Sequence, residues 1–201
     1  MNSLLFILIL CGATLFVGAA LLGLILWYKK NNNQPHPWQT FAAQAGLTYS
    51  LDQVGNSLVS GTYRGRSVRL ETVLHFNPLG ADTTMTHLTL TLNNPRQAHL
   101  TILTGAIAGK IGSLFGAGEI KTGDPDLDRK FTFRSDPPEL GPRVLLHPQL
   151  RQLLLSAPDL NLSLEKDQLL NIQMGEVKDF PTLFVLLDLL VILAWVFENT
   201  P

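Results

Sequence analysis

The feature that most constrains this chain is an apolar run at its start. Ser3–Tyr28 reads SLLFILILCGATLFVGAALLGLILWY, and the first charged side chain is Lys29. At about 1.5 Å of rise per residue, a helix of that length covers the roughly 30 Å hydrocarbon core of a bilayer with some tilt to spare. A lone segment in lipid must satisfy its own backbone hydrogen bonds, which makes the helix its one sensible conformation. A cleaved signal peptide fits less well. Met1-Asn2-Ser3 carries no basic residue, and the run far exceeds the roughly 7–15 residues of an h-region. The expectation is a transmembrane anchor over residues 1–30, a polar linker over 31–37 and a single α+β domain over 38–201. Lys29 and Lys30 follow the span directly, with Trp27 and Tyr28 in the aromatic belt. By the positive-inside rule this predicts a single-pass protein of the cell membrane with a cytoplasmic domain.

Charge and cysteine narrow the chemistry of that domain. Of fifteen basic residues two flank the run, and all sixteen acidic residues lie beyond it, leaving a net charge near −3. Nucleic acid is therefore not an expected partner, since such binders show a basic face. The only cysteine, Cys11, sits inside the run, so disulfides, thiolate catalysis and cysteine zinc sites are excluded from the domain. No cofactor is expected.

Periodicity predicts an antiparallel sheet with helices. Trp38, Phe41, Ala42 and Ala45 recur at helical spacing before Gly46. Ser57–Tyr63 and Ser67–Leu74 flank the hairpin signal Arg64-Gly65-Arg66. Thr83–Asn93 alternates most clearly, with Leu88, Leu90 and Leu92 on one side. Pairing Asn93 with Gln97 across Asn94-Pro95-Arg96 sets Leu92 against Ala98, Leu90 against Leu100 and Leu88 against Ile102. That agreement predicts a hairpin with Gln97–Thr104. Further on come a strand at Lys130–Arg134, a helix at His147–Ala157 and a hairpin of Asn161–Leu164 with Gln168–Met174. Trp38–Tyr63 and Pro148–Met174 both run from helix to strand, a weak internal echo. The favoured architecture is a helix-backed sheet, with a PH-like barrel as the alternative. A long C-terminal helix from Phe180 to about Glu198 starts at the N-cap Asp179. It is apolar enough to form a second span over 180–197, but Asp188 near its centre would cost about 2.5–3.5 kcal/mol in lipid. Docking across the sheet, whose apolar face needs a cover, is favoured.

Candidate sites are sparse. Gly105–Gly118, GAIAGKIGSLFGAG, fails as a P-loop: Gly105 and Gly109 are one residue too close, and Ile111 follows Lys110 where Ser or Thr is required. It reads instead as a packed loop, or as a contact segment in which Ile107, Ile111, Leu114 and Phe115 enter a membrane interface or partner while Lys110 stays near headgroups. Arg64 and Arg66 form a basic hairpin tip that could touch anionic lipid. Asp124, Asp126 and Asp128 have the spacing of a calcium loop's opening, but Arg129 and Ser135 stand where Gly and Glu are needed. Turn chemistry is the simpler account. The five histidines do not converge. On the predicted hairpin His87 and His99 lie about 13 Å apart, too far to share a metal ion.

Gly46, Leu47, Gly61, Gly65, Gly123, Asp124, Asp128 and Phe131 fit a helix–GL–strand opening and a GD-x-x-x-D-x-x-F core motif. In these positions the chain resembles a group of uncharacterised bacterial membrane-anchored proteins. The resemblance implies a bacterial origin and supplies no catalytic residue. Taken together, these signals predict a membrane-tethered, non-enzymatic module that binds a protein partner or membrane lipid. The alternatives are a membrane-associated enzyme using Asp124 and Asp128 with His87 or His99, and a structural subunit of a membrane complex.

Overall fold

The computed structural model describes residues 22–24, 27, 36–76, 82–94, 97–105 and 118–200. Most of the expected anchor lies outside these residues; within it, Leu22–Leu24 and Trp27 are helical. The chain divides into two units, residues 1–36 and residues 37–201.

The second unit opens with helix α1 (Pro37–Ala45), whose Trp38, Phe41 and Ala42 are buried as their spacing requires. Strands β1 (Thr48–Leu51), β2 (Ser57–Tyr63), β3 (Arg66–His75) and β4 (Thr83–Thr91) come next as a meander. Then come β5 (His99–Thr104), β6 (Glu119–Ile120), a short helix α2 (Pro125–Lys130) and β7 (Phe131–Asp136). Helices α3 (Leu140–Leu145) and α4 (Pro148–Ser156) lead to the hairpin β8 (Asn161–Glu165) and β9 (Gln168–Met174), and α5 (Phe180–Asn199) ends the chain. The strands form one nine-stranded sheet, order β1-β2-β3-β4-β9-β8-β5-β7-β6. Every pairing between its strands is antiparallel. The class is α+β. The order is linear with β1 and β6 at its edges, and helices cover one face, so the helix-backed sheet describes it and the barrel does not.

The core lies between that face and the helices. Val59, Leu70, Leu88, Leu90, Leu162, Ile102 and Phe133 project into it from six different strands and are almost wholly buried. Against them α5 buries Leu183, Leu186, Leu187, Leu190, Leu193 and Ala194. Among the described residues α5 is the one helix long and apolar enough to cross a membrane, by length and composition only. Here it lies on the sheet, as the need for a cover predicts.

Two local expectations are corrected. The hairpin between Thr83–Asn93 and Gln97–Thr104 does not form: β4 pairs with β3 and β9, while β5 pairs with β7 and β8. The β8–β9 hairpin inserts between them, and the linking chain crosses its turn. The buried Asn94 holds that crossing: its Nδ2 donates to the carbonyls of Ala98 and Lys166, and its backbone N–H donates to the Asp167 carboxylate. The strand expected at Lys130–Arg134 starts one residue later, because Pro125–Lys130 is helical. Lys130 closes that helix, and its ammonium donates to the carbonyls of Leu155 (2.7 Å) and Ala157 (2.9 Å) at the end of α4. A cation there meets the negative end of the helix dipole.

Candidate functional site

The GD motif folds into a self-satisfied turn. Gly123 sits at φ +85°, where a side chain is disfavoured. Asp124 caps α2, its Oδ1 accepting from the backbone of Asp126 (2.9 Å) and Leu127 (3.3 Å), while its Oδ2 pairs with the Arg151 guanidinium. Arg151 thereby holds the Asp124 carboxyl below its ordinary range. Asp128 accepts from the Thr122 N–H, the Thr122 hydroxyl and the Gly123 N–H. Burial pushes its carboxyl up, but these bonds outweigh that and hold it below the ordinary value. Phe131 is buried at the start of β7. Arg129 pairs with Asp126 at 2.7 Å rather than with the adjacent Asp128. The motif is thus local architecture, consistent with turn chemistry. Among the described residues no group of three His, Asp, Glu or Cys side chains could hold a metal ion.

The basic hairpin tip is engaged inside the fold. Arg64 reaches the Asp188 carboxylate at 3.1 Å, and the Tyr63 hydroxyl donates to the same oxygen at 3.2 Å. Arg66 forms a two-bond pair with Glu198, which also accepts from the Asn93 N–H at 2.7 Å. Both arginines therefore pair with carboxylates of α5, Arg66 sheltered and Arg64 still about half exposed. The polar groups proposed for an enzyme stay apart. His99 pairs in register with Asp136 at one end of β7, whereas Asp124 and Asp128 precede its other end. His87 on β4 is separated from β5 by two strands, about 14 Å at ordinary strand spacing. Ile107, Lys110, Ile111, Leu114 and Phe115 lie outside the described residues.

An exposed apolar rim occupies one end of the sheet. The registers place the end of β1, the start of β2, the end of β3, the start of β4 and the end of β9 together: Leu51 faces Ser57, Leu74 faces Thr84, and Met85 bridges Gly175. There Val54, Leu74, Phe76 and Met174 are exposed to 82%, 62%, 72% and 70%. Val54 is held out by a tight turn: Asp52 accepts from the N–H groups of Val54 and Asn56, with Gly55 at φ +86°. The chain also enters the unit at this end. Trp38 is fully buried, its indole N–H donating to the Val177 carbonyl at 2.7 Å. The Val177 N–H in turn donates to the Thr86 hydroxyl of β4, which itself donates to the Gly175 carbonyl.

No protein-family model matches the chain, and no curated protein sequence does. Among solved structures it is similar to the mycobacterial trehalose monomycolate transport factor A, TtfA. The identity is 13% and the TM-score 0.46, covering 77% of this chain and 92% of that one. A likeness at that level assigns no role.

Sequence reasoning missed the rim. An apolar Val54 at the tip of a polar turn, and Phe76 running on past the paired end of β3 after Leu74, are the signals that could have found it. A polar cleft of about 590 Å³ at the opposite end, lined by Asn93, Asn94, Gln97, His99, Lys166 and Asp167, was also not foreseen. Asn94 and Asp167 there are occupied by the bonds that hold the crossing chain.

Proposed function

We propose that this chain is a membrane-tethered, non-enzymatic module whose domain lies on the cytoplasmic side and binds a lipid or a protein partner at the bilayer. The observation that carries the reading is the burial of Trp38. The folded unit starts only about ten residues after the apolar run ends at Tyr28. Residues 29–37 reach at most about 30 Å. A unit of this size is roughly 40 Å across. A tether shorter than the domain it carries keeps the domain's binding surfaces at the membrane. The shared GD-x-x-x-D-x-x-F pattern supports placing the chain with the bacterial membrane-anchored proteins it resembles.

The test is membrane extraction. The full chain should stay in the pellet after alkaline carbonate treatment, and a chain lacking residues 1–30 should be released. Release of the full chain would refute the tether. A second reading, a complex subunit with α5 as another span, is favoured by the mean hydropathy of 2.4 over that helix. The partnering of Asp188 and Glu198 within the domain weighs against it.

A further inference from the structure

We propose that the apolar rim formed by Val54, Leu74, Phe76 and Met174 is a lipid-contact surface that seats the domain on the bilayer. The proposal rests on the tether and adds the direction in which the domain faces. Four large apolar side chains more than three-fifths exposed at one end of a sheet form the kind of surface that marks an interaction site. The position of the chain's entry point says what covers it. Trp38 is pinned to Val177, three residues beyond Met174, and through Thr86 to β4 at the same end. The segment 29–37 joins the unit there, and nine residues reach at most about 30 Å, less than the domain's width of roughly 40 Å. On the tethered reading, so short a reach favours the end that carries the rim, and not the opposite end, as the one within range of the bilayer.

Charge predicts how the contact is made. Near the rim stand Asp52 in the Val54 turn, Asp82 just before β4 and Glu176 just after β9, with Lys178 paired to Glu176 at 3.3 Å. An acidic surround gains nothing from anionic headgroups. Seating is thus driven by burial of apolar side chains in the interface, to a depth of about 5–10 Å, and it does not require anionic lipid.

The experiment uses the full chain with Cys11→Ser, reconstituted into phosphatidylcholine vesicles. An environment-sensitive fluorophore is attached at Val54→Cys or Phe76→Cys, with Lys166→Cys at the opposite end of the sheet as reference. Nitroxide-labelled lipid should quench the first two about twofold or more beyond the third. Adding phosphatidylglycerol should leave that ratio unchanged or lower it. Equal quenching at all three positions, in protein that co-floats with the vesicles, would overturn the rim assignment and leave the tether standing; the rim would then be free for a protein partner. Quenching that appears only with phosphatidylglycerol would overturn the apolar mechanism. Failure to co-float would overturn the tether, and the rim assignment with it.

Discussion

Arg66, at the first position of β3, holds Glu198, in the last turn of α5, through two hydrogen bonds, the Nη1–Oε1 contact measuring 2.8 Å. The two residues are 132 positions apart. Their pair fixes one end of an apolar helix whose middle is held to the same hairpin by Asp188. The Arg66 bond, with help from the Asn93 N–H, holds the Glu198 carboxyl below its ordinary value of 4.5. A carboxyl depressed in the folded state stabilises the fold above its unfolded value, and that contribution is lost as pH falls through the folded value. Glu198→Gln should therefore lower stability by about 1 kcal/mol at neutral pH. It should also flatten the loss of stability below pH 4.5. Urea titrations of the detergent-solubilised chain at several pH values would show both.

Trp38 couples α1 to the sheet. It is fully buried and donates to Val177, so Trp38→Ala should cost about 3–5 kcal/mol through the cavity alone. Trp38→Phe keeps most of the volume and loses the bond, which should cost about 1 kcal/mol. Its sharper readout is hydrogen exchange. Protection should fall at Val177, whose N–H is held by Thr86, while the amides of β5 and β7 stay unchanged.

The GD motif should behave as a fold element. Gly123 has open space around it and a positive φ, so any cost of substitution comes from the backbone. Gly123→Ala should destabilise by about 1 kcal/mol, and Gly123→Asn by less, since Asn tolerates that conformation. Asp124→Asn keeps a capping oxygen but loses the charge that pairs with Arg151. Its urea midpoint should fall between those of the original chain and Asp124→Ala. A ranking in which Asn is worse than Ala at both positions would contradict the capping role.

How far the sequence exposed this arrangement depends on range. The alternation of Leu88 and Leu90 identifies β4 and its buried face without help. It does not identify the partner, because Leu100 and Ile102 of β5 offer the same apolar spacing that Leu169 of β9 supplies. The choice is made by Asn94, whose bonds to Ala98 and Lys166 send the chain across the β8–β9 turn. No local pattern predicts that. Asp124 and Asp128 were legible as turn chemistry because their partners lie within a few residues. The pairing of Arg64 and Arg66 with Asp188 and Glu198 was not legible, because those partners lie more than a hundred positions away. The rim was hidden for a similar reason: Val54, Leu74, Phe76 and Met174 come to one end of the sheet only when the strands are in register.

Asn171 gives a prediction of the opposite sign. It stands on the covered face of β9, in register between Leu88 and Leu162, and is 1% exposed. Its Nδ2 has no hydrogen-bond partner among the described residues. Burying an amide with an unmade bond forfeits the solvation it had in the unfolded chain, and a β-branched apolar residue fits a central strand better. Asn171→Val should therefore stabilise the domain by about 1 kcal/mol, read as a higher urea midpoint with an unchanged slope. A lower midpoint would mean that the amide has a partner in solution, such as a buried water, and that the core here is built to hold it.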